Sequence, residues 1–168
     1  MCIRDRYLHS LGHIKILWLA GPAHHHQSNQ RFVGITQAAA ELGIELTVMN
    51  SPSLDFLSGE HMAPLILEAG PLPDAIFCAN DTTALGVINY FLQNGLKVPE
   101  DVSILGYDNV SYAESALIPL TTVSQTPFHL GHTMGTQLLE ELTGGPGHLH
   151  QHVMIQPQIV ERSSVKPR

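Results

Sequence analysis

Apolar residues in this chain come in two spacings that alternate along its length. Short unbroken runs of strand length lie near residues 14–20, 45–49, 75–79, 102–106 and 121–124, with a further one near 153–161. Between them, near 28–42, 59–69, 82–94 and 127–142, apolar positions recur every three or four residues, as on one face of a helix. Punctuation residues agree with these limits. Gly43 and Gly95 stand where a helix would end in a left-handed glycine, and Pro127 suits a first helical turn. Residues 111–117 read as a short irregular piece, and Gly144–Gly147 with Pro146 as a flexible loop. Strands alternating with helices predict an α/β fold, a doubly wound parallel sheet covered on both faces.

The most informative stretch is 74–108. Ala75–Ala79 is apolar and ends in Asn80-Asp81; Thr82–Asn94 is helical in spacing; Pro99-Glu100-Asp101 turns the chain into Val102–Leu105, which ends in Gly106-Tyr107-Asp108-Asn109. Two buried strands joined by a helix make a βαβ unit with a right-handed crossover. Both strands then end in amide and carboxylate side chains at one edge of the sheet, where open α/β folds bind ligands. The position alone predicts a small-molecule site.

Composition narrows the class. At 168 residues and 43% hydrophobic the chain can bury one core. No apolar run approaches the roughly 18 residues of a membrane span. Met1–Arg6 is charged and is not followed by an apolar stretch with a cleavage site, so no secretion signal is read there. Cys2 and Cys78 cannot make a disulfide framework, which fits a reducing cytoplasm. A net charge of −7 with 8 Lys and Arg leaves no basic footprint for nucleic acid.

Several motifs follow in order: LGH-x-x-I (Leu11–Ile16), LAGP (Leu19–Pro22), R-F-x-G (Arg31–Gly34), ANDTTALG (Ala79–Gly86), G-x-x-VPEDVSILGYDN (Gly95–Asn109), PLTTV-x-Q (Pro119–Gln125) and ERSS (Glu161–Ser164). Together they resemble the C-terminal half of the effector-binding domain of LacI/GalR-family transcription regulators, over roughly residues 7–165. The resemblance implies a periplasmic-binding-protein-like fold of type I, with one lobe essentially complete. Full-length members carry a helix-turn-helix headpiece, a hinge helix and an N-terminal subdomain ahead of the matched part. On this reading residues 7–125 form the C-terminal subdomain and 155–168 the return strand and tail. Residues 126–154 normally pack on the N-terminal subdomain. Residues 1–6, MCIRDR, match nothing in the family and read as a non-native start.

The resemblance also implies a site. Asp108 corresponds to a position that contacts effector in several members; its carboxylate can accept from paired hydroxyls, or alternatively cap the following turn. Arg31 corresponds to an arginine that reaches effector oxygens, against the alternative of a solvated helix arginine. Asn80 is assigned to the ligand and Asp81 to the helix N-cap. Gln125 is a weaker contact at the crossover. The aromatic position that stacks on a sugar falls near Leu54, with Phe56 two residues on. The implied partner is a small effector, a sugar or sugar derivative. A homodimer is implied for the full-length protein, with Ala84–Leu92 and Tyr112–Leu120 as this lobe's share, and DNA is reached only through the headpiece. The alternative is a periplasmic sugar-binding protein serving a transporter.

Other chemistry is poorly supported. His24-His25-His26 and the alternating His148, His150 and His152 suggest a metal, but no Cys or carboxylate completes a structural spacing, and exposed polar loops are the better reading. The sequence has no G-x-S-x-G elbow, no P-loop lysine motif and no H-E-x-x-H. Neither catalysis, cofactor nor metal is expected.

Overall fold

In the computed structural model the described residues are 3–23, 26–144 and 149–168, with the backbone alone of 26–30. Their elements run α1 (Ile3–Ser10), β1 (Lys15–Ala20), α2 (His26–Leu42), β2 (Glu45–Asn50), α3 (Phe56–Glu68), β3 (Ala75–Cys78), α4 (Asp81–Gln93), β4 (Ser103–Leu105), β5 (Thr122–Ser124), α5 (Pro127–Thr143) and β6 (Gln158–Val160), with a single 3-10 turn at Ser111–Ala113.

Strands β2-β1-β3-β4 form one parallel sheet in that order. Successive strand residues point to opposite faces, and both faces are apolar. Leu17, Leu19, Ile76, Cys78 and Ile104 pack with α3 and α4 residues such as Met62, Val87 and Phe91. Ile16, Trp18, Ala75, Phe77 and Leu105 pack on the other side with Leu8 of α1 and Ile35 of α2. This is the doubly wound arrangement that unbroken apolar runs predict. Only the edge strand β2 departs, with its side chains half-buried or exposed throughout.

Helices α3 and α4 meet backbone to backbone. A Cβ built on Gly59 would lie 2.2 Å from the Thr83 carbonyl oxygen, and one on Gly86 would lie 2.1 Å from that of Phe56. No side chain other than hydrogen fits at either position.

Several boundaries differ from the sequence expectation. Helix α3 begins at Phe56, because Asp55 accepts from the Ser58 amide at 2.7 Å and caps it there. The last strand is confined to Gln158–Val160 and pairs antiparallel with β5 as a separate two-stranded ribbon, joined to the main sheet by a Leu105–Thr121 bridge. A strand signal without a partner to bond leaves 149–157 irregular. Ile3–Arg6, read from the sequence as part of a non-native start, form the first part of α1; Arg4 and Asp5 are buried, and Arg4 lies over the Phe77 ring at 3.9 Å.

Beyond β6 the chain is stitched back across the lobe. Ser164 Oγ donates to the Ile104 carbonyl at 2.6 Å and accepts from the Thr121 amide at 2.8 Å. His13, fully buried, donates from Nε2 to the Lys166 carbonyl at 2.9 Å, and Arg168 pairs with Asp74 at 3.1 Å.

Candidate functional site

The exits of β3 and β4 meet at Arg31. From the second turn of α2, its guanidinium donates from Nη1 to the Ala79 carbonyl, where β3 ends, at 2.7 Å. It also lies over the Tyr107 ring, 3.8 Å from the centroid, in the segment that leaves β4. Burial lowers the Arg31 pKa, and Tyr107 and Asp108 oppose that shift by favouring the cation. A half-buried guanidinium fixed in this way sets a planar group of donors at the strand exits.

Asp108 follows Tyr107 and supplies the negative charge beside it. Loss of surrounding water raises its carboxyl from the ordinary range, while Arg31 and a 3.4 Å hydrogen bond from Gln125 Nε2 pull the other way. Its backbone is unusual: φ is 105° at Asp108 and 54° at Asn109. A non-glycine residue in such a region costs about 1–3 kcal/mol and persists only where its surroundings enforce it. Here the Asp108 amide bonds the Val123 carbonyl at 2.9 Å, and Arg162 Nη2 reaches Asn109 Oδ1 at 2.9 Å. Thr126, at the exit of β5, has φ 47°. Among the described residues the non-glycine left-handed positions thus all follow the ends of β4 and β5.

Of the residues expected from sequence, Arg31, Asp108 and Gln125 are brought together. The cap role expected of Asp81 falls to Asn80. Asn80 is the N-cap of α4, its Oδ1 accepting from the Thr83 amide at 2.9 Å, while its Nδ2 donates to the Leu54 carbonyl at 2.8 Å. Asp81, assigned above to the cap, is instead 0% exposed and faces inward. It accepts from Thr122 Oγ1 and, at 2.9 Å, from the Val110 amide. The correction has a simple cause: Asn80 is the last extended residue, with φ −149°, so its side chain reaches the first-turn amides, whereas Asp81 is already helical and points back toward β5.

Leu54 is half-buried and joins the site through its backbone, as the acceptor of Asn80. Phe56 is not brought to the Arg31 group. As the first residue of α3 it lines a separate apolar groove of about 320 Å³, with Leu85, Ile88, Leu92, Tyr112 and Leu117. The ring that the site does hold is Tyr107. Its signal was present in the GYDN motif, but a tyrosine between glycine and aspartate does not announce that it will lie beneath an arginine from another helix. Trp18 and Phe32 stack nearby, 5.6 Å apart.

The described residues bring no histidine into the Arg31–Asp108 group. His24, His25 and His148 lie outside the described residues. His150 is exposed and bonds Glu141 at 2.8 Å. Among the described residues no group of three metal-ligating side chains converges, and no helix is long and apolar enough to cross a membrane.

A model of the periplasmic binding protein-like domain matches residues 6–165. The HTH-type transcriptional repressor PurR of Vibrio campbellii is 35% identical over 166 residues, covering 98% of this chain and 49% of the relative. The chain therefore spans about half the length of the curated relatives it matches. Among solved structures, a dimeric Lac repressor aligns with a TM-score of 0.89 at 27% identity, over 99% of this chain and 60% of that one. A LacI-family transcriptional regulator from Enterococcus faecium with bound ribose aligns at 0.86 and 26% identity, over 99% and 62%. These relatives are transcriptional regulators. The chain belongs to the periplasmic binding protein-like domain family and, within it, is similar to repressors of the LacI type.

Proposed function

We propose that this chain is the C-terminal effector-binding subdomain of a LacI/GalR-type transcriptional repressor. The observation that carries the proposal is the Arg31–Tyr107–Asp108–Gln125 constellation at the C-terminal edge of a parallel sheet. A fixed guanidinium beside a carboxylate offers donors and acceptors a few ångströms apart, which suits vicinal hydroxyls. The effector we assign is a small polyhydroxylated molecule, a sugar or a sugar derivative. Ribose is bound in the E. faecium regulator.

Helix α5 supports a two-lobed reading. None of its residues is buried; Phe128 is 87% exposed and Leu142 73%. An apolar helix face of this kind suits packing against a further lobe, and we assign 126–154 to contact with an N-terminal lobe. Effector in the cleft between lobes would favour one relative arrangement by its differential affinity, and a headpiece would report that arrangement to DNA. The apolar groove between α3, α4 and the 111–118 segment is our candidate for this lobe's share of a homodimer. The action is binding, not catalysis, and its place is the cytoplasm. Regulators among the relatives favour this reading over a transport receptor.

The test is a ribose titration of the 15N-labelled chain followed by NMR. Weak, millimolar-range shifts confined to Arg31, Asn80, Tyr107–Asn109 and Gln125 are expected, because half a cleft gives up much of the contact. Saturation at micromolar ribose would refute the half-site argument. Shifts located elsewhere would refute the site.

A further inference from the structure

The buried carboxylate of Asp81 is not used by the effector site as described, yet it bonds both the segment that leaves β4 and the strand β5. Its Oδ2 accepts from the Val110 amide at 2.9 Å and its Oδ1 from Thr122 Oγ1. Its own amide donates to the Tyr107 carbonyl at 2.8 Å. Thr122 Oγ1 accepts in turn from the Asn109 amide at 3.3 Å. The carboxylate fills the space that a side chain at position 106 would need: a Cβ on Gly106 would lie 2.2 Å from Asp81 Oδ1.

Three successive amides, at Asp108, Asn109 and Val110, are therefore bound to the Val123 carbonyl, the Thr122 hydroxyl and the Asp81 carboxylate. They span the two residues at φ 105° and 54°. A carboxylate is the side chain that suits this place because it only accepts. By taking the Thr122 proton it turns that oxygen's lone pairs toward Asn109. An amide in its place would donate to Thr122 and leave the hydroxyl proton without an acceptor.

We propose that Asp81 is a positioning residue for the effector site: through Thr122 and Val110 it holds the left-handed Asp108–Asn109 turn in place and ties that turn to β5, the strand leading to the crossover. The inference rests on the effector reading of Asp108. Asp81 lies between α4's first turn and β5, so the capping corner at Asn80, the Asp108 turn and the crossover strand are joined through one side chain. Ionised groups around it are few. Asp108 raises its pKa, and Arg162, reaching in from after β6, lowers it.

The experiment is amide hydrogen exchange by NMR on the whole chain, comparing wild type with Asp81→Asn and Thr122→Val. In both variants we expect exchange at Asn109 and Val110 to accelerate at least tenfold while the β1 and β3 amides keep their protection. The double variant should add little to either single one. Unchanged protection at 108–110, or an equal loss across the whole lobe, overturns the proposal, the latter by showing a general structural role. Thr122→Val removes the hydroxyl at nearly constant volume, so it remains informative if Asp81→Asn fails to fold. Ribose separates the two readings: local loosening in the variants together with no ribose response at Asp108 in wild type would sink the effector reading and leave the clamp standing.

Discussion

Arg31 lies over the ring of Tyr107, its guanidinium 3.8 Å from the centroid, while its Nη1 holds the carbonyl of Ala79 at 2.7 Å. A residue of α2 is thereby anchored to the exits of two strands, β3 and β4, that are distant from it in sequence. The arrangement places a charged group where the ends of β3 and β4 meet.

Arg31→Lys should lose both anchors, because an ammonium on a flexible stem cannot cover the ring and reach the carbonyl as a planar fork does. A partly desolvated cation–π contact contributes about 1–2 kcal/mol, and a loss of that size is expected in urea unfolding. Trp18, the single tryptophan, is buried and stacked on Phe32, so its fluorescence reports the transition. The same variant should abolish ribose-induced shifts at Asp108. Retention of those shifts would remove Arg31 from the site.

Gly59→Ala and Gly86→Ala should each separate α3 from α4, since the added methyl groups would meet backbone carbonyls at 2.2 and 2.1 Å. Overpacking of this kind costs about 1–3 kcal/mol, and here backbone has to move. The two positions face each other, so the double variant should be less destabilised than the sum of the single ones. Thermal unfolding of the three variants decides this; strict additivity would show that the helices do not share the contact.

Asp81 should leave a signature in the pH dependence of stability. Burial is the main cause that raises its pKa to about 6, against which the bonds from Thr122 and Val110 act. The folded state then binds a proton more tightly than the unfolded chain does. Its contribution is fully present below the unfolded value near 4, falls as pH rises through about 6, and is flat above that. The swing is on the order of 2 kcal/mol once solvent screening is allowed for. Unfolding free energies of wild type minus Asp81→Asn, measured from pH 4 to 8, should show that fall; a flat difference would contradict it.

His13 should act in the opposite sense. Burial lowers its pKa, only partly offset by the Lys166 carbonyl and the Asp74 charge. The unfolded chain then binds the proton more tightly, so the contribution is present above the ordinary histidine range and is lost as pH falls through the lowered folded value. His13→Gln should remove the acid-side loss from the urea profile. If the variant keeps the same acid limb, the protonation of His13 is not its cause.

The face of α5 offers a control. Leu138→Glu and Leu142→Glu alter residues that are 60% and 73% exposed, so they should change stability by no more than about 0.5 kcal/mol. Phe91→Ala, at 0% exposure, should cost about 3–5 kcal/mol. A loss comparable to that of Phe91→Ala would mean that α5 packs on this lobe after all.

Much of the architecture was legible because it rests on local rules. Unbroken apolar runs at β1, β3 and β4 marked strands buried on both faces, and helical spacing with Gly43, Gly95 and Pro127 marked α2, α4 and α5. Charged residues concealed α1: Arg4 and Asp5 carry no apolar signal, and their burial depends on Phe77 and α2 lying opposite. The strand reading of 153–161 shrank to Gln158–Val160 because pairing needs a partner, and β5 offers three residues.

The site divides along the same line. From residue types alone the chain determined that amides and carboxylates would stand at one edge of a parallel sheet, because strand exits in a βαβ unit all face the same way. Tertiary structure decided what each of them does. It turned Asn80 outward as the cap and Asp81 inward as a clamp, since one residue along a helix start rotates a side chain by about 100°. It also placed Tyr107 under Arg31 and sent Phe56 to another face. Those outcomes depend on contacts between residues tens of positions apart, 76 between Arg31 and Tyr107, and no local pattern in the chain encodes them.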